Sequence, residues 1–151
     1  MTVNRLTTAL AVVLFAATAV GCDSTSENSR TFTNGAKESE ITFTYYYEGD
    51  TITRQDTQSK ITYRSMGAAD EAQARQSIEP MVAHYAGVKG AKYSAEYQRD
   101  AVLLRVSVNF SEVSDRDLCK LQGKEADCEK PSLSMAESAE HRLAQGFVEV
   151  K

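Results

Sequence analysis

The stretch Ile41-Thr42-Phe43-Thr44-Tyr45-Tyr46-Tyr47 decides the fold class. Ile41, Phe43, Tyr45 and Tyr47 fall on one side of an extended chain and Thr42, Thr44 and Tyr46 on the other, the period of two that marks a half-buried strand. Gly49 and Asp50 then turn the chain, and Thr51 to Tyr63 reads as a solvated return strand. Its chief aliphatics, Ile52 and Ile61, lie an odd number of residues apart, so they share a face only if this strand is bent or bulged. Upstream, Thr31 to Thr33 reads as a short strand turning at Asn34-Gly35, a dipeptide that accepts positive φ in a hairpin turn.

Downstream the period changes. Ala74, Ile78, Met81, Val82 and Tyr85 recur at spacings of three and four within Ala68 to Ala86, which predicts a helix with one apolar face. Pro80 lies inside it and lacks the amide that would bond the Gln76 carbonyl, so a kink or division is expected there. Gly87 and Gly90 end the element. Lys92 to Gln98 and Val102 to Phe110 alternate again and form a second hairpin around Arg99 and Asp100. Ser134-Met135-Ala136-Glu137 carries the signature of a capped helix start, with Met135, Ala136, Ala139 and Leu143 facing inward and Gly146 ending the helix. Phe147 and Val150 should close the chain against the core. The order strand, strand, helix, strand, strand, helix predicts an α+β domain: an antiparallel sheet of four to five strands with the helices packed on one face.

The amino end predicts the compartment. One charged side chain, Arg5, precedes Ala9 to Val20, twelve residues of which only Thr18 is polar. Spanning a bilayer takes about 20 apolar residues, so this run suits a signal peptide rather than a permanent span. It ends Ala19-Val20-Gly21-Cys22, which resembles the lipobox of bacterial lipoproteins. A thiol is nucleophilic enough to take a diacylglyceryl group as a thioether, and cleavage between Gly21 and Cys22 frees an amine for a further acyl chain such as palmitate. Two or more chains hold a small protein on a membrane durably, where one holds it marginally. Residues 1–21 are therefore read as signal peptide, 22–30 as lipidated cysteine and flexible polar tether, and 31–151 as one globular domain. The expected location is the extracytoplasmic face of the cell membrane, and Asp23 after the modified cysteine resembles the signal for inner-membrane retention in Gram-negative cells.

Removing residues 1–21 leaves 130 residues with 16 Lys and Arg against 21 Asp and Glu, a formal charge of −5. An acidic body without a basic stripe argues against a nucleic-acid partner and leaves the lipid as the expected hold on an anionic leaflet. Cys119 and Cys128 remain once Cys22 is assigned to lipid, and a pair in an oxidising compartment reads as a disulfide. His84 and His141 belong to no metal-binding run, and no nucleophile motif, phosphate loop or dinucleotide fingerprint is present, so neither enzyme activity, cofactor nor metal is expected. The acidic pairs Asp70-Glu71 and Asp115-Asp117 suit helix starts. Tyr45, Tyr47, Tyr93 and Tyr97 share faces with aliphatics and read as core, whereas Tyr46 points the other way and is the candidate ligand contact.

The lipobox, Thr31 to Gly35, Thr44 to Asp50, Val88-Lys89-Gly90 and Gln145-Gly146-Phe147 together resemble the YehR-like family of small bacterial lipoproteins of unknown function. The resemblance covers most of residues 22–151 and implies the fold and the anchoring, but no mechanism. The Cys119 to Cys128 segment and Pro80 depart from the family pattern. The resulting expectation is a non-catalytic binding or interaction module of the cell envelope with a protein or small-molecule partner. A structural or stress-related envelope component is the alternative, and a small hydrolase comes third.

Overall fold

The computed structural model describes residues 27–36, 38–121 and 132–151. The signal segment, Cys22, Asp23 and Cys128 lie outside them. The elements are β1 (Asn28–Ala36), β2 (Ser39–Glu48), β3 (Thr51–Thr62), α1 (Glu71–Ala83), β4 (Ala91–Tyr97), β5 (Ala101–Asn109), α2 (Asp115–Leu121), α3 (Met135–Ala144) and β6 (Val148–Val150), with a 3-10 turn at Arg64–Met66 between β3 and α1. The strands form one sheet in the order β4-β5-β3-β2-β1-β6, antiparallel throughout. An α+β domain with helices on one face of an antiparallel sheet is what the alternation predicted. The described residues, however, hold six strands and three helices, so both the expected count of four to five strands and the expected element order are corrected.

The extra elements arise where local pattern is weak. Asn34-Gly35 does not turn the chain: Asn34 pairs with Ile41 and Gly35 with Glu40, so β1 runs through the dipeptide to Ala36. It also starts at Asn28, three residues inside the segment expected to be tether, because Asn28, Ser29 and Arg30 find partners in Tyr47, Tyr46 and Tyr45. Pairing with a ready strand outweighs their poor intrinsic strand preference. β6 is three residues long, too short to show a period, and it adds to the outer edge of β1. There Arg30 donates two hydrogen bonds, of 2.7 and 2.8 Å, to the Glu149 carboxylate. Val150 stays 52% exposed, so only Phe147 of the two expected closing residues packs on the core.

The expected bulge in β3 is present. Arg54 pairs with Tyr46 and Ile52 with Tyr47, so Thr53 is the surplus residue, and this one-residue slip brings Ile52 and Ile61 to the same face. Asp70 caps α1 by accepting the Gln73 N–H at 2.9 Å, so the helix is shorter than Ala68 to Ala86. Pro80 does not divide it: Ala74, Ile78 and Val82 bury the inward face, and Pro80 stands exposed where a missing backbone bond can be made good by water. Met81, at 46% exposure, is off that face. In α3 the buried residues are Met135 and Ala139, while Ala136 is exposed and Leu143 is 50% exposed.

All three helices lie on the side of the sheet to which Phe32, Tyr45, Val102, Leu104 and Val108 point. The buried residues fall into separate groups. α1 closes over Tyr63, Val102 and Leu104, α3 over Phe32, Tyr45 and Ile52, and α2 over Val108 and Val113. Between the first two runs β3, which turns Gln55, Thr57 and Ser59 to the helix side. Fully burying a side chain such as Phe32, Ile78 or Val102 contributes about 1.5 to 3 kcal/mol.

Candidate functional site

The other face of the sheet carries no helix among the described residues. Register lines its side chains up in two rows across five strands. One row runs Lys92, Ser107, Asp56, Thr44, Thr31, and the second, two residues along, runs Ser94, Arg105, Gln58, Thr42, Thr33. The middle of these rows, with Tyr46 at one end, walls a hollow of about 550 Å3. Thr42, Thr44, Tyr46, Asp56 and Ser107 are only half exposed although no described helix or strand packs over them.

The groups in the hollow are partly bound to one another. The Thr31 and Thr44 hydroxyls lie 3.1 Å apart, as do those of Thr33 and Thr42. Ser107 donates to Asp56 Oδ1 at 2.6 Å. Arg54 stands at the same end: its guanidinium lies 3.7 Å from the Tyr46 ring centroid and its Nε 3.7 Å from Asp56. Burial works against the Arg54 charge, but Tyr46, Asp56 and Glu27 outweigh it and raise the pKa above its ordinary value. Its Nε is enclosed and has no hydrogen-bond partner. Arg105 sits 3.4 Å from Glu96.

Two other concavities are less suited to a ligand. A hollow of about 700 Å3 at the far end of the sheet is walled by turn residues whose charges balance, Glu38 and Asp100 against Arg64 and Arg99. A groove of about 430 Å3 between α1 and β4 is filled on one side by Arg75, which lies 3.9 Å from the Tyr97 ring and bonds Glu71 at 2.7 Å.

Tyr46, the ligand contact proposed from alternation, therefore does line the hollow, half-buried and stacked with Arg54 rather than free. Tyr45 is buried and Tyr47 and Tyr97 are half-buried as expected, but Tyr93 is 43% exposed, because β4 is an edge strand that no helix covers at that position. Cys119 is half-buried on α2, while Cys128, Gly21 and Cys22 fall outside the described residues. His84 and His141 are both exposed, one at the end of α1 and the other on α3. Among the described residues no three His, Cys, Asp or Glu side chains converge as metal ligands, and no helix is long and apolar enough to cross a membrane.

A second polar constellation escaped the sequence reading. Asp50, in the β2–β3 turn, accepts the Ser134 hydroxyl at 2.7 Å and the Ala136 N–H at 2.9 Å, while Ser134 accepts the Glu137 N–H. The Ser134 hydroxyl, then the backbone donors of Ala136 and Met135, hold the Asp50 carboxyl below its ordinary pKa. Asp50 thus fastens the first hairpin to the start of α3, a structural duty that leaves the open face as the site.

Relatives share this architecture. The chain is 32% identical over 147 residues to the uncharacterized lipoprotein Lin0239 of Listeria innocua, covering 96% of this chain and 95% of the relative. It is 27% identical over 150 residues to the uncharacterized lipoprotein YehR of Escherichia coli K12, covering 98% and 97%. An NMR structure of the E. coli YehR protein superposes with a TM-score of 0.71 at 29% identity, covering 83% of this chain and 91% of that one. An NMR structure of a protein from Streptococcus pneumoniae TIGR4, 15% identical, shares the fold with a TM-score of 0.59 over 99% and 97% of the two chains. Residues 28–148, from the first residue of β1 to the first of β6, match the family described as protein of unknown function (DUF1307), and the chain belongs to that family of YehR-like proteins.

Proposed function

We propose that the protein is a lipid-anchored, extracytoplasmic, non-catalytic binding module whose ligand sits in the hollow of the open sheet face. The observation that carries this reading is a concave polar surface, partly sheltered and yet covered by no described element, on a sheet whose other face holds the three described helices. Its hydroxyls donate to Asp56 and to each other, an arrangement for hydrogen bonding to a ligand rather than for activating a nucleophile. The lipobox-like Ala19 to Cys22 supports the anchor, as do relatives named lipoproteins over nearly their whole length.

With Cys22 lipidated, five residues separate the anchor from β1, and at about 3.5 Å per residue the tether reaches roughly 20 Å. Asn28 enters the sheet beside Tyr47, so the Tyr46 end of the hollow is the one nearer the anchor along the chain. Thr44 and Thr42 lie about 10 and 17 Å further along the strand.

Two measurements test this reading. The mass of the membrane-extracted protein should correspond to a chain beginning at Cys22 with diacylglyceryl added, and two hydrogens lighter if Cys119 and Cys128 are bridged. A Gln58→Cys variant should react with a small maleimide more slowly in intact envelopes than when purified in detergent, with Glu140→Cys on the exposed side of α3 as control. Equal rates at Gln58 would reject an occupied hollow and favour a structural envelope component.

A further inference from the structure

The geometry points to an acidic oligosaccharide or polysaccharide segment as the ligand of the open face, held by the hydroxyl and amide rows and by Lys92 and Arg105. This inference rests on the binding-module reading and names its ligand class. The hydrogen-bond inventory of the open face favours a polyol. The Thr31 and Thr44 hydroxyls share one hydrogen between them, which leaves one O–H free to donate. The Ser94 hydroxyl, the Gln58 amide and the Lys92 ammonium have no partner among the described residues. Asp56, which already accepts from Ser107, has acceptor capacity left over. Neighbouring donors and acceptors of this kind match a polyol, in which every hydroxyl both gives and accepts. An apolar ligand would strip water from these groups without replacing its bonds, at a cost for each.

Charge narrows the class. The exported chain is acidic, yet in the hollow Asp56 is met by Arg54 at 3.7 Å and Arg105 by Glu96 at 3.4 Å, which leaves the Lys92 ammonium without an ion-pair partner among the described residues and favours a negative group beside it. The rows are also long. Each row crosses five strands at about 4.8 Å per step, roughly 19 Å in all, which is longer than one sugar and suits a segment of several units. That length selects an envelope polymer over a single sugar on a lipid headgroup.

The test uses the mature protein in detergent micelles, with backbone amide shifts read by NMR while oligogalacturonate, galacturonate monomer, maltohexaose or inorganic phosphate is added. Oligogalacturonate should move amides in both rows on β2 to β5, weaken with salt, and bind at least about tenfold more tightly than the monomer. Lys92→Glu, exposed and in no ion pair among the described residues, should weaken it about tenfold, and Arg105→Gln, which gives up only the exposed pair with Glu96, should weaken it several-fold. Equal binding of maltohexaose would overturn the acidic class, and equal shifts with phosphate would reduce the site to an anion patch. Equal affinity of the monomer would overturn the polymer assignment. No shift with any probe would overturn the saccharide class, and continued protection of Gln58→Cys in envelopes would then still uphold a ligand of another kind.

Discussion

The two faces of the sheet are built from the same strands and have opposite characters. On β2, Phe43 and Tyr45 turn to the helices while Thr44 and Tyr46 turn to the open side. On β5, Val106 and Val108 do the first and Arg105 and Ser107 the second. One face is closed by three helices over groups of buried side chains, whereas the other keeps hydroxyls and Asp56 half sheltered in a hollow, with Gln58, Lys92 and Arg105 exposed around it. The difference teaches that stability and recognition are divided by strand parity. Substitutions one residue apart should therefore have unlike effects.

The largest effect is expected on the covered face. Phe32→Ala removes a ring with no exposed surface, which stands edge-on to Tyr45 with centroids 6.0 Å apart, and should lower stability by about 3 to 5 kcal/mol in denaturant titration. Gly90→Ala comes next. Gly90 has φ +83°, and an added Cβ would lie 2.8 Å from Glu112 Cβ and 2.9 Å from the Asn109 carbonyl oxygen, so about 1 to 3 kcal/mol should be lost to strain. On the open face, Thr44→Val keeps the shape and should cost less than about 1 kcal/mol while weakening saccharide binding several-fold. A loss as large as that of Phe32→Ala would erase the division between the faces. Glu149→Gln breaks the part-exposed pair that fastens β6 and should cost about 0.5 kcal/mol, chiefly by loosening the last strand in hydrogen exchange.

Acid should act through two carboxylates whose pKa values are lowered in the fold, Asp50 by the Ser134 hydroxyl and Glu149 by its hydrogen bonds from Arg30. A lowered folded pKa means that the contribution is complete above the unfolded values, 3.8 and 4.5, and disappears as pH falls through the folded ones. Thermal midpoints should be insensitive to these groups near neutrality and drop below about pH 4. Asp50→Asn should have a lower midpoint near neutrality and a shallower drop in acid.

Much of the covered face was legible in the sequence because it is written in local periods. The alternation of Ile41 to Tyr47, the odd spacing of Ile52 and Ile61, and the recurrence of Ala74, Ile78 and Val82 each specify which way a side chain points. Ser134 likewise announced its helix, whereas Asp70, read as a charge suited to a helix start within Ala68 to Ala86, is the cap that sets the start at Glu71. What was not legible depends on distant partners. Asn28 to Arg30 are polar and become strand because β2 lies ready to pair with them, β6 exists because β1 offers an edge, and Asp50 reaches Ser134 across 84 residues. The hollow itself draws three residues from each of four strands, β2 to β5, and takes its shape only when these are paired. Tyr46 alone was identifiable, by facing away from its aromatic neighbours.

The central strand β3 has a consequence for how damage spreads. It is hydrogen-bonded on both flanks yet turns Gln55, Thr57 and Ser59 toward the helices, so the greasy packing beneath α1 and that beneath α3 are kept apart by a polar seam. Such a seam works as a firebreak: a hole opened under one helix is screened from the other, and the fold can absorb evolutionary drift in one half without retuning its counterpart.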